Sequence, residues 1–377
     1  MGKKKVAKFL IQSLILILLL EMFLRILFYQ RAGSDHLAII EVARSVKREI
    51  IKLKQNEQVY ANFLLVRPDS GIETNRLIAK EAEASNRFEY APWTEYKTVD
   101  FTGKYINTHG FVRTTIPDEY ISSDTAEKQI VYFFGGSTMF GVNATDRETI
   151  AAAFVNLYKS QYPNGVSIKV INYGIPAYYS YNELILLSHL VYSNQKPSIA
   201  IFFDGLNDFL IPGAAQKRLP YYYYRLKAAG QENFNFKEFQ ASIDSTAMLR
   251  NPPEGYTHEA LADSLVKNYI SNIDNVKKVA GSNHFNVFFF IQPNPFYHYP
   301  NRIHDSICNK QPAPLIEMAY SILEKKADSI ENCYFLGNML MQEKGYPFID
   351  GFHYSPAMCR RIAKEIVNVI GEKLNQH

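Results

Sequence analysis

Apolar and polar positions follow two different periods along this chain, and they interleave only after Lys128. Continuous apolar runs occupy Gln129 to Phe134, Ile168 to Tyr173, Ser198 to Phe203, Val287 to Ile291 and Tyr334 to Leu336. Runs of this length without alternation are expected of strands covered on both faces. Between them, apolar residues recur at helical spacing over Glu148 to Ser160, Asn182 to Tyr192, 258 to 280, about 314 to 330, and Pro356 to Leu374. Ser355 and Pro356 give the last of these a helix start signal. The alternation predicts an α/β fold, a three-layer α/β/α sandwich around a mostly parallel, flavodoxin-like sheet.

The first thirty residues are of another kind. Lys3, Lys4, Lys5 and Lys8 precede an apolar run from Phe9 to Leu20, broken only by Gln12 and Ser13, which continues to Tyr29. About twenty residues at ~1.5 Å rise cross a hydrocarbon core. Residues 1–30 are therefore expected to be a cytoplasmic tail and a single transmembrane signal-anchor, with Glu21 and Arg25 paired on one helix face. The lysines favour a cytoplasmic N-terminus, which puts the bulk of the chain on the periplasmic or exterior side of the cytoplasmic membrane. A cleaved signal peptide is the competing reading, but the stretch before Gly33 lacks a small-x-small site.

Residues 31–128 read as a helical stalk, with apolar Leu37, Ile40, Val42, Val46, Ile50 and Leu53, followed by an irregular extension of short strands and turns. Residues 129–377 form the expected main domain. A stretch at about 209–257, rich in proline and carrying Tyr221 to Tyr224, breaks its rhythm as an insertion overhanging the sheet.

Composition narrows the function classes. The 377 residues are 47% apolar and 14% aromatic, enough to bury a full core. The net charge of +4 comes with no dense basic stretch with interleaved aromatics in the body of the chain, so nucleic acid is not an expected partner. Cys308, Cys333 and Cys359 match no zinc spacing and no redox pair. Either Cys308 and Cys333 form a disulfide, or all three are small buried hydrophobes. His109, His189, His258, His284, His298 and His304 form no metal motif, and no metal or cofactor is expected. The oligomeric state leaves no sequence signal.

Chemistry gathers where strands end. Gly135-Gly136-Ser137-Thr138, Asn172-Tyr173-Gly174, Gly205-Leu206-Asn207-Asp208, Gln292-Pro293 and Asp350-Gly351-Phe352-His353 each follow a predicted strand. Ligands of open α/β sheets bind outside the carboxyl ends of the strands. A histidine oriented by an acid can take the proton of a serine hydroxyl, provided the fold returns Asp350 and His353 to Ser137. Met139 stands where a G-x-S-x-G elbow needs glycine. Asn143-Ala144-Thr145 has the glycosylation pattern, but lies too close to Ser137 to be read as a glycan site.

These blocks, in this order over roughly residues 129 to 375, resemble the SGNH (GDSL-like) hydrolases. The resemblance implies Ser137 as nucleophile, His353 as general base and then acid, and Asp350 as its orienting carboxylate. It also implies an oxyanion hole from the Ser137 and Gly174 backbone N–H groups and the Asn207 side chain. One departure is Gly136, where the family usually carries Asp. The expected reaction is acyl transfer through a serine ester, on acylated glycans or lipids of the cell envelope. Two alternatives stay open: an O-acyltransferase serving a polysaccharide hydroxyl, and a non-catalytic carbohydrate-binding or assembly protein. Tyr178, Tyr179, Tyr181 and the Tyr221–Tyr224 run could stack on sugar rings or simply pack.

Overall fold

The computed structural model describes residues 62–123, 127–210, 233–235, 257–300 and 313–375. The predicted anchor and stalk, most of the 209–257 insertion with its tyrosine run, Cys308 and His304 lie outside the described residues. Among the described residues no helix is long and apolar enough to cross a membrane.

The extension holds α1 (Ile72–Ser85), β1 (Arg87–Ala91), β2 (Glu95–Thr98), β3 (Phe101–Thr102), β4 (Asn107–His109), β5 (Val112–Arg113) and β6 (Glu119–Tyr120). The regular part follows as β7 (Lys128–Gly135), α2 (Ser137–Phe140), α3 (Ile150–Gln161), β8 (Ser167–Asn172), α4 (Ser180–Tyr192), β9 (Ile199–Asp204) and α5 (Leu206–Leu210). After β10 (Asn233–Asn235) come α6 (His258–Asn283), β11 (Asn286–Ile291), α7 (Pro314–Ala327), β12 (Cys333–Phe335) and α8 (Pro356–Leu374). From β7 onward the strands and long helices fall where the apolar periods put them.

β12, β11, β9, β7 and β8 lie side by side in that order, all parallel. Taken by chain position, the order reverses around β7, so the mouth beyond its carboxyl end is the switch-point crevice of a doubly wound sheet. Both faces are covered, and alternate residues of each run serve opposite sides. Tyr132, Phe134, Phe202, Phe289 and Ile291 pack toward α4, α6 and α7. Val131, Phe133, Ile201, Phe203, Phe288 and Phe290 pack toward α3 and α8. The rings of Phe134, Phe202 and Phe289 stack across three strands, with centroids 4.9 and 5.2 Å apart. Each such buried ring contributes about 1.5–3 kcal/mol by removal from water. Thr149 and Ser355 cap α3 and α8 by accepting the Ala152 and Met358 N–H groups.

β3 to β6 continue the sheet antiparallel beyond β8, making it mixed. α1 was not expected within this extension. Its buried positions include Asn75, Glu81 and Ser85, so no apolar stripe marks it. Glu81 instead accepts the N–H groups of Lys104, Tyr105 and Ile106 at 2.8–3.1 Å. Arg113, wholly buried, pairs with Asp146 and donates to the carbonyls of Asn107, Thr114 and Ala144. Cys333 and Cys359 are free and buried, so the hydrophobe reading holds for both, and Cys333 is not in a disulfide.

Behind β9 lies a buried carboxylate trio. Asp204 accepts from the Tyr269 hydroxyl, and Asp208 from the Ser180 hydroxyl at 2.5 Å and more weakly from its N–H. Asn272 donates to the same Ser180 oxygen at 2.8 Å. Burial raises all three acids: Asp204 to about 6, Asp208 to about 8, and Glu183 well above its ordinary range, where the Asp204 charge adds to the effect. Both Glu183 carboxyl oxygens are buried without a hydrogen-bond partner among the described residues, which favours the protonated form.

Raised folded-state values mean that the folded chain binds more protons than the unfolded one. The trio's contribution to stability is therefore lost as pH rises from about 4 toward about 8. Asp208→Asn should flatten that decline when urea unfolding is followed across this range; an unchanged slope would exclude Asp208 as its source. Arg113→Ala leaves Asp146 buried without its cation and should cost about 3–5 kcal/mol in the same assay.

Candidate active site

The carboxyl end of β7 delivers Ser137 as the first residue of α2, the position at which a helix leaves its N–H without an internal acceptor. This single turn is closed by Phe140 N–H on the Gly136 carbonyl and by the Gly141 and Val142 N–H groups on the Ser137 carbonyl. Thr138 Oγ1 donates to Gln292 Oε1 at 2.6 Å, tying the turn to the loop after β11. At Gly136 a Cβ would stand 2.3 Å from Asn207 Nδ2 and 3.0 Å from the Tyr178 carbonyl. A side chain there would require the Asn207 amide to shift from this position.

Asn207 opens α5 and donates from Nδ2 to the Tyr178 carbonyl at 2.7 Å, leaving its second N–H uncommitted by that bond. Gly174 behaves differently from its expected role. Its N–H donates to Asn172 Oδ1 at 2.9 Å, while Asn172 Nδ2 donates to the Met139 carbonyl at the same distance. The glycine is needed for space, since a Cβ would lie 2.4 Å from the Phe140 nitrogen. Its N–H is thus already engaged. Further along the same loop Ala177 takes a left-handed φ of 64°, and its N–H has no acceptor among the described residues. Sequence reading passed over Ala177 because nothing in its residue type signals that conformation.

Asp350 and His353 sit on a loop pinched by a bridge between Phe348 and Tyr354. The 3-10 turn Gly337–Leu340 separates this loop from β12, so it does not follow a strand directly as predicted. The Tyr354 hydroxyl donates to the Pro293 carbonyl and its ring lies edge-on to Phe203, which draws the loop over β9 and β11. Asp350 Oδ1 accepts the N–H groups of Phe352 and His353 at 3.0 and 2.9 Å. Oδ2 is shared by His353 Nδ1 at 2.6 Å and Asn143 Nδ2 at 2.8 Å. Burial alone would raise the Asp350 carboxyl, but the imidazole beside it and the backbone N–H groups of His353 and Phe352 bring it below the usual carboxylate range.

With Nδ1 bound to a carboxylate, the imidazole's other nitrogen carries the lone pair. That atom, His353 Nε2, is buried and has no hydrogen-bond partner among the described residues. No bond joins it to the Ser137 hydroxyl in this structure. What links the two loops is Asn143, next to the Val142 whose N–H binds the Ser137 carbonyl. Asn143 entered the sequence reading only as a discounted sequon. Arg67, which donates to its carbonyl at 2.8 Å, gave no signal at all. Tyr178 and Tyr179 are buried packing residues rather than exposed stacking platforms. Among the described residues no cluster of His, Cys, Asp or Glu is arranged to hold a metal ion.

Comparison with known proteins bears on the whole. No curated protein matches the chain. Solved structures that superpose on it include the acetyl xylan esterase AlAXEase, at 15% identity and a TM-score of 0.39 over 64% of this chain and 99% of that one. A catalytic variant of the acetylxylan esterase Axe2 from Geobacillus stearothermophilus superposes at 16% identity and a TM-score of 0.37, covering 67% and 96%. TesA superposes at 14% and 0.36, covering 64% and 98%. Assignment rests on the family model for GDSL-like Lipase/Acylhydrolase, which matches residues 131–366, more than half of the chain and all of its parallel sheet except the first residues of β7. The chain belongs to this GDSL-like lipase/acylhydrolase family of serine esterases.

Proposed function

We propose that this chain hydrolyses O-acyl esters of cell-envelope glycans or lipids through an acyl-serine intermediate, with Ser137 as nucleophile and the Asp350–His353 pair as its acid–base device. The observation that carries the reading is the placement of His353: Nδ1 is held by the Asp350 carboxylate, and Nε2 is buried with no hydrogen-bond partner among the described residues. An imidazole in that state is a general base awaiting a hydroxyl.

In the first half-reaction His353 Nε2 takes the Ser137 Oγ proton as the oxygen bonds to the ester carbonyl carbon. The tetrahedral oxyanion collapses, the alcohol leaves with the proton from Nε2, and the acyl group stays on Ser137. Water then attacks with the same proton relay and releases the acid. Donors for the oxyanion are the Ser137 N–H, the second Asn207 amide hydrogen and the Ala177 N–H. Ala177 replaces Gly174, whose N–H is engaged. Preorganised donors of this kind each contribute about 3–4 kcal/mol in the transition state. The N-terminal lysines and apolar run support a single-pass anchor in the cytoplasmic membrane with the catalytic domain outside. That location favours envelope glycans and lipids as substrates.

A fluorophosphonate probe should label the wild-type protein, fail on Ser137→Ala and label His353→Ala weakly; an unlabelled, folded wild-type chain would instead support a binding protein. Asn207→Ala should lower kcat roughly 10²–10³-fold with little change in stability. Free acetate from an acetyl ester, measured with and without a glycan acceptor, separates hydrolysis from transfer: an acceptor-dependent loss of acetate means transfer. Protease added to spheroplasts should digest the domain, and full protection would place it in the cytoplasm.

A further inference from the structure

Asp350 takes a side-chain donor from outside its own loop. Asp350 Oδ1 is satisfied locally, by the N–H groups two and three residues on. Oδ2, the oxygen that holds His353, is shared with Asn143, 207 positions earlier in the chain. Asn143 stands on the loop that leaves the Ser137 turn, so one amide joins the loop of the nucleophile to the loop of the acid.

Asn143 is itself constrained. Its φ of 66° is left-handed, a conformation asparagine tolerates better than most residues, and its carbonyl is held from outside its own loop. Arg67 supplies the hold. Its Nη2 donates to the Asn143 carbonyl at 2.8 Å, and its Nε and Nη2 grip the two Glu148 oxygens at 2.7 and 2.6 Å. Glu148 Oε2 also accepts the Thr145 N–H at 3.0 Å, and the Arg67 guanidinium lies 5.0 Å from the centre of the Phe63 ring. Five residues before Arg67, Asn62 Nδ2 donates to the Ile349 carbonyl at 2.8 Å, immediately ahead of Asp350. The short segment 62–67 therefore grips both partners of the Asn143–Asp350 bond, one through each polar side chain. It lies upstream of the family-matched region, which begins at residue 131.

We propose that Asn143 is a positioning residue for the acid–base pair, and that residues 62–67 form a strap, acting through Arg67 and Asn62, that sets Asn143 and Asp350 against each other. The proposal rests on the assignment of Asp350 and His353 made above. Its consequence is that esterase competence depends on the chain just after residue 61, outside the part that carries every reacting group. A bidentate guanidinium is suited to this, since its planar fork fixes an angle as well as a distance.

The test uses the full chain and p-nitrophenyl acetate. Asn143→Ala should reduce kcat roughly ten- to hundredfold with KM within about twofold, as expected for a misplaced rather than missing catalytic group. The acid limb of kcat/KM should also move to higher pH. Among the described residues Asp350 is the charged group paired with His353. Without the Asn143 donor its carboxylate becomes the stronger acceptor and favours the imidazolium. Asn62→Ala and Arg67→Lys, each of which removes one grip of the strap, should show smaller losses of the same kind. If Asn143→Ala does not fold, these two variants decide the matter. Wild-type kcat with an unmoved pH profile overturns the strap and the role of Asn143, provided Ser137→Ala is inactive. Activity retained by Ser137→Ala would overturn the serine-hydrolase reading instead.

Discussion

A carboxylate withdrawn from water stays ionised only if hydrogen-bond donors replace the water it has lost, and this constraint governs the centre of the molecule. Asp350 receives donors on both oxygens, two from its own loop, one from His353 and one from Asn143, and its proton affinity falls. Glu183, Asp204 and Asp208 lie deeper with fewer donors, and theirs rises. The same side-chain chemistry thus yields an anion where an imidazole must be oriented, and acids that hold their protons more tightly where the interior has only to be filled and linked. The second group is still ordered: Asp208 holds the first residue of α4, and Asp204 holds Tyr269 of α6. The residue before Asp208 is Asn207, so the rigidity of the trio sits directly behind a proposed oxyanion donor.

The reacting groups come from loops that the parallel sheet gathers at one edge, but the sheet alone does not set their mutual distances. Two arginines from the extension do part of that work on the loop after the Ser137 turn. Arg67 holds the Asn143 carbonyl, while Arg113 holds the Ala144 carbonyl and the Asp146 carboxylate. In the loop after β8, Tyr96 of β2 donates to the Pro176 carbonyl and its own carbonyl accepts from the Tyr178 hydroxyl, fixing the stretch that contains Ala177. The extension therefore belongs mechanically to the site although it contributes no reacting atom.

The parallel sheet was legible in the sequence because runs such as Ile130 to Phe134 need nothing beyond local composition to declare a strand covered on both faces. The helix Ile72–Ser85 was not, because its buried side carries the polar Asn75, Glu81 and Ser85, and the partners of Glu81 are backbone N–H groups 23 to 25 positions away. Short motifs marked the Ser137, Asn207 and Asp350–His353 loops. They could not mark which backbone N–H in the 172–179 loop is free, since that depends on the Asn172 side chain turning back on Gly174. Nor could they reveal Asn143 or Arg67, whose significance arises only when distant loops meet. What a sequence displays well is periodicity and spacing; a single contact between residues 207 positions apart leaves neither.

β8 is one of the two outer strands of the parallel set, and the family-matched segment contains no strand on its far side. In this chain Arg113 pairs with Asn172 at its carboxyl end, while Glu119 and Tyr120 pair with Lys169 and Ile168 nearer its start. A chain trimmed to the matched residues would expose that row of N–H and C=O groups as a template for another molecule's strand. The extension thereby occupies hydrogen-bonding positions along that edge of the sheet, a covering duty separate from anything it does for catalysis.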